Sequence, residues 1–142
     1  MPVDCLEHAN ATVTDLDKAI HFLTTAVPAW RVRGGGQMDW AGKPIRWAHV
    51  GSDRCYVALQ GGGEGQAIDW RGHEPGLKHV GIVVADLAAV VDRLERAGHP
   101  LDHWGGRTAY RNSVYFMVGA DFQVEFVEYQ SERTEQRNEY PA

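Results

Sequence analysis

Two histidines stand at the same place in two similar stretches of the chain. LEHANATVTDL (6–16) carries His8 and LKHVGIVVADL (77–87) carries His79, and both fit the pattern H-x-x-x-x-V-x-D-L. Neutral imidazole is a common ligand of divalent metal ions and a common group in proton transfer. Core packing does not call for the same titratable side chain at two equivalent points. We therefore predict that His8 and His79 serve one functional site.

The two stretches are parts of a longer internal repeat. Residues 8–26 align with 79–97 without a gap, and WAHVGSD (47–53) aligns with YFMVGAD (115–121). The chain is therefore predicted to be one domain made of two copies of a unit of about 55 residues. The first copy covers about 5–60 and the second about 77–129. A Gly-rich linker (61–76) joins them, and a polar tail (130–142) follows.

Each copy has the pattern of one strand, one helix and three further strands. A β-rich run (7–13; 77–84) precedes a segment with apolar residues at helical spacing (15–27; 86–98). Three β-like segments follow, at 30–38, 45–50 and 55–60 in the first copy and at 101–105, 113–118 and 122–129 in the second. This order predicts an α+β fold of two βαβββ repeats. Each sheet would have one face without a helix, and two such faces would form a curved mixed sheet around a central cavity, within one chain or against a second chain.

The composition narrows the class of partner. Of the 142 residues 44% are apolar, and the net charge of −5 is spread along the chain without a basic cluster. This distribution does not suit a polyanion, so we expect a small-molecule substrate and no nucleic acid. No apolar run reaches the roughly 20 residues that span a bilayer, and the N-terminal residues lack the layout of a secretory signal. We therefore expect no membrane partner and a cytoplasmic location.

The paired units, the histidine motif that occurs twice and the segment RNSVYFMVGADFQVEF (111–126) resemble the vicinal oxygen chelate superfamily. This superfamily includes glyoxalase I, bleomycin-resistance binding proteins, fosfomycin-resistance thiol transferases, methylmalonyl-CoA epimerase and extradiol dioxygenases. The resemblance covers nearly all of residues 5–129. Because members share a scaffold and differ in chemistry, it implies the fold more firmly than the reaction. The epimerase's basic carboxylate has no counterpart in IRWAHVG (45–51), which argues against that activity.

The resemblance also implies a divalent ion held by the first and last strands of each unit. The matching positions are His8, His79 and Glu125. In the first unit, one alignment places Ala58 opposite Glu125 and leaves that position without a ligand, whereas a register two residues later places Gln60 there. The predicted metal ligands are thus His8, His79, Glu125 and Gln60, with Glu125 also the predicted catalytic residue. Two imidazoles and a carboxylate suit Fe, Mn, Zn, Ni or Co without distinguishing them.

Further residues are candidates for contact with the substrate because they lie on or beside strands that would line the cavity. They are Trp47, His49, Arg111 and Tyr115. Arg111 and Tyr115 would suit an anionic or aromatic molecule. Three other histidines are expected to be solvated: His73, His99 and His103.

The leading prediction is a metal-dependent enzyme that chelates neighbouring oxygens of a small molecule, with lyase, isomerase or ring-cleaving dioxygenase chemistry. The alternative is a metal-free, bleomycin-resistance-like protein that binds an antibiotic or another aromatic compound. The number of tryptophans favours this alternative, because several around one cavity would suit a planar ligand. They are Trp30, Trp40, Trp47, Trp70 and Trp104. The family resemblance also implies a homodimer.

Overall fold

A computed structural model, which describes residues 3–140, has two four-stranded sheets. The first module contains β1 (His8–Thr12), α1 (Leu16–Ala26), β2 (Arg31–Trp40), β3 (Lys43–Gly51) and β4 (Tyr56–Gln60). The second contains β5 (His79–Val83), α2 (Leu87–Arg96), β6 (Leu101–Trp104), β7 (Arg111–Val118) and β8 (Phe122–Tyr129), and a short helix, α3 (Thr134–Arg137), lies in the tail. The strand orders are β1-β4-β3-β2 and β5-β8-β7-β6. The predicted α+β fold of two βαβββ repeats is confirmed.

The two modules are built in the same way. In each, the first strand pairs in parallel with the last, and the other neighbours are antiparallel. Each long helix begins after an aspartate whose side chain accepts a hydrogen bond from a backbone N–H three residues on, Asp15 from Lys18 and Asp86 from Ala89, both at 3.0 Å. Such a cap satisfies one of the free N–H groups at a helix start. Equivalent signals therefore start equivalent helices.

The helix sides of both sheets share one apolar core. Phe22 of α1 has its ring centroid 6.2 Å from that of Phe116 and 6.1 Å from that of Phe126, and both partners lie in the second module. All three side chains are fully buried. Arg93 of α2 joins the modules further by donating to the carbonyls of Thr25 and Ala26 at the end of α1, at 3.0 and 2.8 Å. The modules are thus packed helix side to helix side.

This packing leaves the other face of each sheet outside the shared core. We call these faces the first open face, in the first module, and the second open face, in the second module. Successive side chains of a strand point to opposite faces, so His8 and His79, whose neighbours Ala9 and Val80 are more buried, lie on the open faces. The linker 61–76 has no helix or strand.

The edges of β1 and β5 border a cavity of about 700 Å³. Its lining includes His8, His79 and the exposed apolar side chains Leu6, Leu77 and Val83. Within residues 3–140, no helix combines the length and the apolarity that crossing a membrane requires.

Candidate active site

Glu125 is a buried carboxylate on the second open face. It lies in β8 directly opposite Tyr115 of β7, and only 6% of its surface is exposed. The Tyr115 hydroxyl donates to Oε2 at 2.8 Å, and Nη2 of Arg111 donates to Oε1 at 3.0 Å. Burying a carboxylate is unfavourable unless it has such partners. The neighbouring strand therefore supplies the charge and the hydrogen bond that stabilise Glu125.

The same contacts change the acidity of Tyr115. Burial first, and then the hydrogen bond to Glu125, raise the pKa of Tyr115 to about 12. Its hydroxyl therefore stays protonated at neutral pH and acts as a hydrogen-bond donor to the carboxylate.

His79 comes from β5, on the other side of Glu125. Its Nε2 lies 4.0 Å from Oε1 of Glu125, which is too long for a direct hydrogen bond. Its ring meets the ring of Tyr115 edge-on, with the centroids 5.3 Å apart. About a third of the His79 side chain is exposed, so its ring borders both the buried carboxylate and solvent.

His8 has different neighbours. It stacks on Tyr56 with ring centroids 4.7 Å apart, and its Nδ1 lies 2.9 Å from Oε1 of Glu7. The Tyr56 hydroxyl also donates to Glu7, at 3.2 Å. His8 therefore shares the cavity lining with His79 but is held by the first module.

The predicted metal ligands fit an ion in part. Neighbouring ligand atoms about 2.0–2.2 Å from one ion lie roughly 2.8–3.6 Å apart, so His79 Nε2 and Glu125 Oε1, at 4.0 Å, would have to approach each other slightly to share a cation. Neutral imidazole and carboxylate are also chemically suitable donors. However, within residues 3–140 no group of three His, Cys, Asp or Glu side chains could hold a metal. One chain thus brings two of the donors together and leaves His8 apart.

The register of the strands decides which residue of β4 matches Glu125. Glu125 pairs with Gly81 of β5 and Tyr115 of β7. Ala58 pairs with Asn10 of β1, two residues after His8 as Gly81 is two residues after His79, and with His49 of β3. His49 is therefore the counterpart of Tyr115, as the places of the register shifts in β2 and β6 also show, and the sequence alignment of 47–53 with 115–121 is wrong by two residues. Gln60 therefore lies two residues beyond the position that matches Glu125.

Gln60 makes a contact of its own. Its Oε1 accepts from Nδ2 of Asn10 at 3.1 Å, whereas its buried Nε2 has no hydrogen-bond partner in the described part of the chain. Its predicted role as a ligand stays a prediction, and the position that matches Glu125 carries only a methyl group.

Two predicted substrate contacts, Trp47 and His49, lie together on the first open face. Their ring centroids are 4.9 Å apart, and His49 stacks on Tyr56 at 4.6 Å. Burial, followed by the nearby charges of His8 and Arg33, lowers the pKa of His49. The other two, Arg111 and Tyr115, lie on the second open face with Glu125. The four therefore divide between the two faces.

Sequence reasoning missed two rings that cover the second open face. His103 of β6 stacks on Tyr115, with centroids 4.4 Å apart and planes inclined by 3°, and Trp70 of the linker stacks on His103 at 5.0 Å. The expectation that His103 is solvated holds in part, since 40% of its side chain is exposed while both faces of its ring are covered. Its place on a strand next to Asp102 was the available signal. Nothing in the local sequence ties Trp70 to a strand from another part of the chain.

Comparison with solved structures identifies the architecture. The chain is similar to a glyoxylase/bleomycin resistance protein/dioxygenase domain from Frankia sp. EAN1pec, with 21% identity, a TM-score of 0.71 and coverage of 91% of this chain and 100% of that one. It is also similar to a glyoxalase family protein from Bacillus cereus, with 17% identity, a TM-score of 0.71 and coverage of 92% and 97%.

A third similar structure contains ligands. It is a mutant of the fosfomycin resistance protein FosX from Listeria monocytogenes, complexed with Mn(II) and 1S,2S-dihydroxypropylphosphonic acid. The identity is 16%, the TM-score is 0.68, and the match covers 97% of this chain and 100% of that one. No protein-family model and no curated protein matches the sequence.

Proposed function

The chain has the fold of the vicinal oxygen chelate superfamily, and from this premise we propose that it is a metal-dependent enzyme acting on a small molecule with neighbouring oxygen atoms. The carrying observation is the pair of donors on the second open face, with His79 Nε2 4.0 Å from Glu125 Oε1. The chemistry would be of the lyase or isomerase type, or ring-cleaving dioxygenation. A divalent ion, when bound, would act as a Lewis acid on the two substrate oxygens.

The residues around Glu125 have separate tasks in this proposal. Tyr115 donates to Oε2 and orients the carboxylate so that Oε1 faces His79. Arg111 places a positive charge beside the same oxygen at 3.0 Å, and a third of its side chain is exposed. An exposed guanidinium of this kind suits an anionic oxygen of the substrate. Substrate binding would then move Arg111 from Glu125 to the ligand.

A second copy of the chain would supply the third donor, His8. The modules pack helix side to helix side, so their open faces are left for a partner. Three apolar side chains that border the cavity are exposed by 61–90%: Leu6, Leu77 and Val83. Covering them with a second chain removes apolar surface from water and favours association. The proposed enzyme is therefore a homodimer in which the first open face of one chain meets the second open face of its partner.

Metal binding tests the donor set. We expect Mn(II) titrated into the metal-free protein to bind in a stoichiometric manner by calorimetry. His79→Ala and Glu125→Gln should each weaken binding by more than about 100-fold, because loss of a direct ligand exceeds the 10–100-fold effect of supporting residues. His73→Ala, in the exposed linker, is the matched control. Equal Mn(II) affinity in all of these variants would refute the donor set.

Mixing two inactive variants tests the role of the second chain. His8→Ala and Glu125→Gln homodimers should both lack the tight site. A mixed dimer of one chain of each kind regains one complete site, because the Glu125→Gln chain still donates His8 to the intact His79 and Glu125 of the other. Recovery of about half a site per chain supports the arrangement across two chains. No recovery from a mixed dimer, isolated with two affinity tags, contradicts it.

The second candidate is a metal-free binding protein for an aromatic compound. The stacked rings of Trp70, His103 and Tyr115 favour it, as does the ion pair that already neutralises Glu125 without a metal. Tryptophan fluorescence of the protein in EDTA, titrated with catechol or bleomycin, separates the two proposals. Saturable quenching that Trp70→Ala abolishes, together with no Mn(II) binding, would favour the binding protein.

A further inference from the structure

Asp102 and His103 are neighbours in the sequence and form a hydrogen-bonded pair in β6. In a regular strand, neighbouring side chains point to opposite faces. In β6, however, Leu101 pairs with Phe116 and His103 with Tyr115, so Asp102 is an extra residue in a β-bulge. The bulge lets the Asp102 carboxylate turn toward the imidazole, and Oδ2 lies 2.6 Å from Nδ1 of His103. Bulges redirect side chains in this way, often beside active sites.

A buried side chain from another strand fixes the carboxylate. Gln123 of β8 is 1% exposed, and its Nε2 lies 3.4 Å from the same Oδ2 of Asp102. Asp102 thus joins the inner strand of the sheet to the imidazole on its edge. This contact distinguishes the pair from an ordinary ion pair on the surface, which has no such support.

The ring of His103 is also held on both sides. Tyr115 covers one face at 4.4 Å and Trp70 the other at 5.0 Å, and all three rings are nearly parallel. The side chain is still 40% exposed. Because the two ring faces are covered and Nδ1 is bonded to Asp102, the edge that carries Nε2 is the part left to meet a ligand or solvent. With Nδ1–H donating to Asp102, Nε2 has a free lone pair.

We propose that Nε2 of His103 is a proton acceptor on the second open face, separate from the metal donors, with Asp102 and Gln123 as its positioning residues. Its use on a substrate rests on the proposed function. There, an acidic O–H or C–H of the substrate gives its proton to Nε2, the electron pair of the broken bond stays on the substrate, and the imidazolium that forms is stabilised by Asp102. The same proton returns to the substrate or leaves to water in the later half of the reaction.

The first module supplies a natural contrast. β2 carries a bulge at the equivalent place, where Val32 pairs with Val50 and Gly34 with His49. The extra residue is Arg33, whose guanidinium lies over the ring of Tyr56 at 4.3 Å, and the residue after it is glycine. The same bulge thus accompanies an imidazole in one module and a guanidinium in the other. The proposed base therefore depends on the residues at the bulge and is not a property of the fold itself.

Two measurements on the metal-free protein test the proposal without a known substrate. Long-range proton–nitrogen NMR spectra report which ring nitrogen carries the proton, and we expect His103 to hold its proton on Nδ1. Diethyl pyrocarbonate labels unprotonated imidazole nitrogen, and peptide mass spectrometry gives a rate for each histidine. We expect His103 to react several times faster than the exposed His73, because hydrogen bonding of Nδ1–H to a carboxylate makes Nε2 more nucleophilic.

Variants separate positioning from plain exposure. Asp102→Asn should bring the labelling rate of His103 to that of His73 or below it, whereas Asp92→Asn, an exposed carboxylate paired with Arg96 on α2, should change nothing. Asp102→Glu should restore part of the rate. A proton on Nε2 in the wild-type protein, or a labelling rate that does not respond to Asp102→Asn, overturns the proposal. Both wild-type measurements stand even if a variant fails to fold.

The outcome is independent of the metal proposal. Glu125→Gln should abolish tight Mn(II) binding and leave the tautomer of His103 unchanged. Loss of the proton-acceptor site with intact Mn(II) binding, or the reverse, would therefore identify which of the two proposals has failed.

Discussion

The two modules have the same scaffold and different open faces. Strand order, pairing direction, helix caps and the bulge in the outer strand repeat, and the helix-side positions are apolar in both. On the open faces, equivalent positions carry different chemistry: Ala58 and Glu125, His49 and Tyr115, Tyr56 and Gln123, Gly34 and His103. The first-strand histidines, His8 and His79, are common to both.

This difference shows which positions of the repeated unit carry side chains that differ between the modules. Helix-side residues pack against each other, so a change there costs stability in either module. Residues of an open face are free of that constraint, and here the second face gathers the carboxylate, the phenol and the imidazole. The first face keeps aromatic side chains and two histidines, His8 and His49, which suits the wall of a binding site. Variants at matched places in the two modules test this division.

The largest expected effect comes from removing the carboxylate of Glu125, and the matched carboxylate of the first module is that of Glu7. Glu125→Ala removes a buried partner of Arg111 and Tyr115, and we expect the free energy of unfolding to fall by about 2–4 kcal/mol, near the lower end for a broken buried ion pair because Arg111 is partly exposed. The matched change is Glu7→Ala, whose carboxylate is exposed and accepts from Tyr56. It should leave stability unchanged within the precision of urea unfolding.

Equal losses in these two variants would contradict the comparison. They would mean that the contacts of Glu125 with Arg111 and Tyr115 stabilise the fold no more than the exposed contact between Glu7 and Tyr56. Arg111→Met in the Glu125→Ala background serves as the control. It should recover part of the loss, because part of the destabilisation comes from leaving the half-buried Arg111 charge unpaired.

The tyrosine hydroxyls give the next effect. Tyr115→Phe removes a 2.8 Å hydrogen bond to a buried carboxylate, and we expect a loss of about 1–2 kcal/mol in the free energy of unfolding. Tyr56→Phe removes a 3.2 Å contact with exposed Glu7 and should be nearly neutral. In an alkaline titration followed by tyrosinate absorbance, the group that ionises near pH 12 should be missing from Tyr115→Phe. If that group remains, the assignment of the raised pKa to Tyr115 is wrong.

The scaffold could be predicted from sequence because its signals are local and occur twice. The Asp-Leu helix starts and the alternation of apolar residues needed no knowledge of distant contacts. The register of β4 was harder, since Ala58 and Gln60 lie on the same face and only pairing with β1 and β3 distinguishes them. The family resemblance and the repeat predicted that His79 and Glu125 lie close together. They did not predict the ion pair between Glu125 and Arg111.

The proton-acceptor site was not predicted for a physical reason. Its geometry depends on one extra residue in β6, and the alternation of a short strand does not reveal a bulge. Trp70, which covers the second face of the His103 ring, lies in a linker whose glycines indicated only flexibility. His99 was missed for a related reason. It follows α2 in a stretch that reads as a surface loop, yet it is 5% exposed, because α1 of the other module packs over it.

The boundary between the modules gives the smallest predicted effect, a dependence of stability on pH. His99 Nε2 lies 3.3 Å from Nδ1 of His21 in α1, and its ring meets Phe22 edge-on. Burial, and then the nearby charges of His21 and Lys18, lower the pKa of His99 below its ordinary 6.5. As pH falls below about 6.5 the unfolded chain takes up the proton before the folded chain does, so stability decreases by at most about 1.4 kcal/mol per pH unit for this group.

Urea unfolding at pH 7, 6 and 5 measures this slope, and His99→Gln should reduce it because the amide does not titrate. His49, whose pKa is lowered on the first open face, contributes in the same direction, so part of the slope should remain. A slope that is the same in wild type and His99→Gln would mean that the contact between α1 and His99 does not exclude the charged imidazole. Water would then reach the imidazole of His99 in the folded protein.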